Sequence, residues 1–218
     1  CSPSRSSLIT GMHPVTIGTH NMRANRSELP DGLTSYWVPI PDEVKTFTLH
    51  MRKAGYYCTN NEKTDYSFNT GSADWDRSDG SADWRSSRRQ KDEPFLSVFT
   101  SMTSHESRLW MNANHPQWVN LEDVPLPPYY PDTPTVRNDV ARAYSNIMEQ
   151  DEEVGDLLAK LEQDSLLDKT IFIFVGDNGG PLPRQKRDLY DSGLHVPLII
   201  RFPDKAGAGT VNDELVSF

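Results

Sequence analysis

Two cysteines, Cys1 and Cys58, are all that the sequence contains, too few for a disulfide scaffold and too few to fix the redox compartment. Cations are outnumbered as well: 22 Lys and Arg face 31 Asp and Glu, for a formal net charge of −9. That balance argues against a general nucleic-acid binder, which needs a broad basic face, although a few local cations can still hold a small anion. No apolar run approaches the length that spans a bilayer, and no basic-then-apolar segment opens the chain, so a soluble chain without a transmembrane segment is expected. An initiating methionine is missing too: residue 1 is Cys1, and a processed or truncated product is expected.

The 218 residues suffice for one sizeable α/β core, and a second complete domain is not expected. Apolar residues make up 36% and aromatics 10%, with a mean hydropathy of −0.63, which predicts a packed core carrying long polar loops. Ser2 as cap, Pro3 in the first turn and the stop at Gly11 predict a short helix with Cys1 at its mouth. The pattern Val44, Phe47, Leu49, Met51 predicts a helix over 42–53, ending at Gly55 and feeding a strand over 56–59.

Residues 67–93 are polar and repeat Ser72-Ala73-Asp74-Trp75 as Ser81-Ala82-Asp83-Trp84, which reads as a surface excursion. A buried strand is expected over 94–100 and a long ordered loop over 112–135. The clearest helix runs over 136–163, with Val140, Tyr144, Ile147, Val154, Leu158 and Leu161 at helical spacing. The continuous apolar runs 170–175 and 196–202 predict interior strands. Helices alternating with such strands give an α/β layered fold.

The opening Cys1-Ser2-Pro3-Ser4-Arg5, followed by Leu8, Thr10 and Gly11, matches C-x-P-S-R-x-x-L-x-T-G and so resembles the signature of type I sulfatases. The resemblance implies an alkaline-phosphatase-like α/β sandwich with a mainly parallel sheet flanked by helices. It implies that a formylglycine-generating or anaerobic sulfatase-maturating enzyme oxidises Cys1 to formylglycine, the nucleophile for sulfate esters or sulfamates. Downstream, Gly176-Asp177-Asn178-Gly179-Gly180 follows the strand 170–175 and is similar to the family's calcium-binding turn. By that match Asp177 and Asn178, with residue 1, are metal ligands. An ordinary strand-closing turn is the plainer reading of those residues alone.

Residues 186–193 are similar to the family's K-x-x-x-Y-E-G-G segment, with Asp191 and Ser192 in place of Glu and Gly. Lys186 would bind sulfate or protonate the leaving oxygen; otherwise it is a solvated lysine in a basic run with Arg184 and Arg187. In the family's G-K-W-H stretch this chain has Asn61-Glu62-Lys63-Thr64-Asp65, so Lys63 is a candidate sulfate binder and Asp65 stands where the histidine is expected. His105 takes the place of a sulfate-facing histidine. Arg5 would hold the formylglycine hydrate, and His20, with Asn21 and Arg23, would contact substrate. His13, His50, His115 and His195 read as surface or structural groups. Trp110, Trp118, Tyr129 and Tyr130 would stack on a sugar or pin the long loop, pinning being the simpler reading.

The match spans residues 1–218, taken as a partial catalytic domain, incomplete at both ends, without the upstream aspartate pair or a C-terminal subdomain; the piece alone is expected to be inactive. The run 126–144 resembles the heparan N-sulfatase branch. A sulfated carbohydrate substrate and an exported location, periplasmic, extracellular or lysosomal, follow from the resemblance. The alternatives are a phosphomonoester or phosphonate hydrolase of the same superfamily, or a non-catalytic glycan-binding or lipoprotein module.

Overall fold

The computed structural model describes residues 1–22, 30–33 and 36–217, so Arg23 lies outside the described residues. The chain divides into two compact units, Cys1–Thr100 with Glu214–Phe218, and Ser101–Asp213.

In the first unit, helix α1 (Ser2–Thr10) is capped by Cys1 and not by Ser2 as the sequence suggested, and it carries Pro3 in its first turn, where a missing N–H costs nothing. It stops at Gly11 in the left-handed region, φ 65° and ψ 18°, with Gly11 N–H bonded to Ser7 O at 2.7 Å, the closure that glycine permits. Ser2, Ser6, Ser7 and Ile9 form its buried face, and small residues there let the helix sit close to its neighbours. The Ser6 hydroxyl bonds Ser2 O at 2.7 Å and also the carbonyl of Tyr66.

Helix α2 (Phe47–Lys53) is shorter than predicted. Residues before Thr46 are held in a turn by Val44 N–H to Pro41 O at 3.0 Å, and the Thr46 hydroxyl then caps the helix by accepting from Leu49 N–H at 3.3 Å. Three strands follow, β1 (Tyr57–Asn61), β2 (Arg77–Ser78) and β3 (Phe95–Phe99). They form a parallel sheet in the order β2-β1-β3, with Thr59 opposite both Arg77 and Ser97. Ile9, Cys58, Tyr66, Phe68 and Trp75 make the core, packed by Phe47, Met51, Leu96 and Val98. Burial pushes the Cys58 thiol up to about 12, so it is an inert core group.

The segment 67–93 is not a surface excursion. It supplies the edge strand β2, and both repeat tryptophans are buried. Trp84 stacks on Phe95 at 5.7 Å and meets Phe99 edge-on at 5.9 Å. Few aliphatics concealed the core role, because aromatic area does the burying here.

The second unit is built on α4 (Pro134–Gln163), capped by the Thr133 hydroxyl. Val140 and Ala141 pack against Val124, with Val119, Leu121, Leu126, Tyr130 and Leu182 around them. Polar groups anchor the long loop to this helix: buried Arg142 donates to His115 O and Pro116 O, both at 2.9 Å, and Asn112 bonds Asn146. The short helix α3 (Arg108–Met111) precedes the loop.

Strands β4 (Phe172–Val175) and β5 (Leu198–Arg201) form a two-stranded antiparallel ladder, Ile173 opposite Ile200, with the short helix α5 (Asp191–Leu194) between them. They are not the interior strands predicted: Ile171, Ile173 and Ile199 are 54, 58 and 61% exposed. A continuous apolar run signals covered faces only where other layers cover them, and the described residues of this unit do not.

Thr46 also donates to the buried carboxylate of Asp74 and accepts from Thr48 at 3.0 Å. Thr46→Val should therefore cost about 1–3 kcal/mol through the lost cap and an under-bonded carboxylate. A lower urea midpoint at unchanged slope is the expected reading; an unchanged midpoint would contradict this role.

Candidate functional site

The sequence-predicted residues fall into two clusters, one in each unit. In the first, Cys1 is half-buried at the head of α1. Arg5, one turn on, reaches the segment after β1: Nε bonds Thr64 O at 3.3 Å, Nη2 bonds Lys63 O, and Nη1 bonds the Thr100 hydroxyl at 3.2 Å. Its guanidinium also lies 5.5 Å from the centre of the Tyr66 ring. Three of its nitrogens are thus engaged with the protein, so the structure gives Arg5 a positioning part that the sequence reading did not include.

Lys63 sits 3.7 Å from the Asp65 carboxylate, which is buried, so the residue standing at the histidine position is the lysine's ion-pair partner. His20 is exposed, as are His13, His50, His115 and His195. Asn21 accepts at its carbonyl from the Ser67 hydroxyl, 3.1 Å away.

In the second unit, His105 and Lys186 meet: Lys186 Nζ is 3.1 Å from His105 Nε2. An ammonium only donates, so Nε2 accepts, while Nδ1 lies 2.9 Å from the Ser107 hydroxyl and 3.3 Å from the Ser107 backbone N–H. Glu106 flanks the same lysine at 3.8 Å and takes two bonds from Arg187, at 2.6 and 2.5 Å. That bidentate pair, with Lys186 beside it, holds the Glu106 carboxyl below the usual carboxylate range. Motif reading missed Glu106 and the partner role of Arg187. The signal was one acidic residue next to His105, needed to balance a lysine and an arginine that are adjacent in sequence.

The glycines of the two downstream motifs have a shared task. Gly179 N–H bonds Gly193 O at 3.0 Å, and a β-carbon on Gly179 would fall 2.1 Å from Ser192 O, one on Gly193 2.2 Å from Asp188 O. Only glycine at both places lets the turn after β4 cross the Lys186 loop. Lys186 N–H then bonds Gly180 O at 3.1 Å, which ties the lysine's backbone to the turn carrying Asp177 and Asn178.

Asp177 and Asn178 are half-buried, and Asn178 Nδ2 donates to Gly179 O at 2.8 Å. Their oxygens suit a hard cation, but calcium takes about six to eight. Among the described residues no group of three or more His, Cys, Asp or Glu gathers as a metal site, so the fit is one of donor type and not of number. Tyr130 pins the long loop through its hydroxyl to Pro183 O at 2.6 Å, whereas Tyr129 lies against the Arg184 guanidinium; Trp110 and Trp118 are exposed.

The family model described as Sulfatase matches residues 1–218. An ulvan-active sulfatase of Formosa agariphila is 42% identical over 253 aligned positions, covering 100% of this chain and 42% of that protein. Human N-sulphoglucosamine sulphohydrolase is 35% identical over 103 residues, 47% of this chain and 20% of that one. The chain therefore spans less than half the length of these curated relatives. Among solved structures, the phosphonate monoester hydrolase SpPMH from Silicibacter pomeroyi superposes with a TM-score of 0.61 at 16% identity, over 93% of this chain and 58% of that one. The fold is the alkaline-phosphatase-like α/β arrangement, present in part, with a mainly parallel sheet flanked by helices.

Because its folded value is depressed, Glu106 stabilises the protein above its ordinary value of 4.5, and that contribution is lost as pH falls through the lower folded value. Glu106→Gln should flatten this acid-side loss in thermal midpoints taken across the interval below 4.5. The effect is modest, since Arg187 is 69% exposed. Parallel wild-type and variant curves would refute the pairing.

Proposed function

Because the chain belongs to the sulfatase family, we propose that the protein to which it belongs hydrolyses sulfate esters or sulfamates of a sulfated glycan. The observation that carries this reading is the contact of Lys186 Nζ with His105 Nε2 at 3.1 Å. Two side chains from separate motifs, 81 residues apart, are brought together as a joint sulfate site requires.

Converted to formylglycine by a formylglycine-generating or anaerobic sulfatase-maturating enzyme, residue 1 supplies a hydrated aldehyde, one hydroxyl attacking sulfur and the other later helping to release sulfate. Lys186 holds a sulfate oxygen and gives its Nζ proton to the oxygen that leaves, while His105 orients the ammonium and faces the sulfate. Lys63 is a second sulfate-binding cation, Arg5 sets the segment that carries it, and His20 is a substrate contact. Asp177, Asn178 and residue 1 are proposed ligands of one calcium ion, the remaining oxygens coming from elsewhere in the protein.

Relatives named for action on ulvan and on N-sulphoglucosamine support a sulfated carbohydrate as substrate. Such polymers lie outside the cytoplasm, so a periplasmic or extracellular location, or a lysosomal one in a eukaryote, belongs to the proposal. No described helix is long and apolar enough to cross a membrane. The phosphate-directed alternative has a weaker basis, because its structural counterpart is 16% identical and speaks for fold alone.

Peptide mass spectrometry of the full-length protein from its own source should find an aldehyde at residue 1, and matched aryl esters should release sulfate in preference to phosphate. Lys186→Ala should lower kcat by about 10²- to 10⁴-fold. An unmodified thiol with no sulfate release would sink the reading.

A further inference from the structure

Arg184 lies two residues before Lys186, and its guanidinium lies over two tyrosine rings, 4.4 Å from the centre of Tyr129 and 4.1 Å from that of Tyr190. The other five arginines of the second unit all have oxygen partners. Arg108 and Arg142 bond backbone carbonyls, and Arg137, Arg187 and Arg201 pair with carboxylates. Among the described residues the Arg184 guanidinium has no hydrogen bond or ion pair with the protein. It is exposed, as are both tyrosines.

The support around it is fixed. Tyr129 is braced edge-on by Tyr130 at 4.7 Å, and the Tyr130 hydroxyl bonds Pro183 O at 2.6 Å. The Ser192 hydroxyl bonds Arg184 O at 2.5 Å, and Leu182 N–H bonds the Gln185 side chain at 3.0 Å. Arg184 and Arg187 occupy the left-handed region, φ 65° and 88°, a conformation disfavoured in non-glycine residues and kept where surroundings impose it.

Stacking on aromatic rings leaves the N–H donors of the guanidinium unused, and their planar fork matches a carboxylate or a sulfate bidentately. Two residues of chain put its backbone within about 7 Å of that of Lys186. We infer that Arg184, clamped by Tyr129 and Tyr190, is a subsite for a second oxyanion, carboxylate or sulfate, on the glycan whose sulfate ester is cleaved. The inference rests on the sulfatase reading and adds substrate selectivity to it.

The test uses the matured full-length enzyme, its Arg184→Gln and Arg184→Lys variants, a monosulfated aryl ester, and sulfated oligosaccharides carrying either a uronate carboxylate or a second sulfate. Arg184→Gln should raise KM for the dianionic oligosaccharides about 10- to 100-fold, leave their kcat unchanged, and spare the aryl ester. Arg184→Lys should recover only part of the loss. Whichever oligosaccharide loses more identifies the anion. Equal losses on the aryl ester would mean that Arg184 only shapes the Lys186 loop, and no loss on any substrate would mean that no subsite exists; either result overturns the inference. Should wild-type enzyme release no sulfate at all, the functional reading fails, and calorimetric binding of the same oligosaccharides to wild type and Arg184→Gln still decides whether the subsite exists.

Discussion

In the first unit, the Arg5 guanidinium joins α1 to the backbone of Lys63 and Thr64 and to Thr100 just beyond β3. The need for it is set by the chain after β1. Asp65 and Ser67 take left-handed φ values of 45° and 60°, so this backbone leaves the strand pattern and its carbonyls cannot be satisfied by the sheet. Backbone carbonyls removed from water need donors, and one planar, permanently charged fork reaches several at once where a lysine would reach fewer. The motif arginine therefore fixes where Lys63 sits relative to the head of α1. The Tyr66 ring beneath it shares that anchoring, and burial raises the Tyr66 hydroxyl above its ordinary value despite the nearby Arg5 charge.

The second unit solves a related problem with absent side chains. Gly179 and Gly193 cross where no β-carbon fits, and Gly180 would place one 2.3 Å from the Gln185 side chain. This crossing sets the Lys186 loop against the turn after β4. The left-handed residues on either side of Lys186 each cost about 1–3 kcal/mol. The two-ring clamp on Arg184 and the bidentate Glu106 pair on Arg187 are the interactions that offset that cost.

Much of this was legible in the sequence where a residue's own chemistry dictates its place. Pro3 and Gly11 bracket α1 as read, and the 3.6-residue apolar period of the long helix located α4 to within two residues of its start. What could not be read depended on partners distant in the chain. Nothing local announces that Trp84 stacks on Phe95, so a polar stretch looked superficial while its tryptophans were core. The apolar runs of β4 and β5 signalled burial, but burial needs a covering layer, and local pattern does not reveal which layer the described residues provide. His105 and Lys186 were each picked by resemblance, yet their contact and the Glu106 brace emerge only from folding.

A chain of net charge −9 is an unpromising receptor for anions, and the arrangement of its charges resolves that difficulty. Screening limits the reach of exposed charges to about 8–10 Å at physiological salt, so a sulfate responds to the groups beside it and hardly to the molecular total. Lys63 is matched by Asp65. Lys186 and Arg187 both lie against the carboxylate of Glu106. Arg184, stacked on rings and not on a carboxylate, adds a cation to the same loop. The ring clamp matters for this reason: an aromatic face holds a cation in place without cancelling its charge, whereas a carboxylate does both.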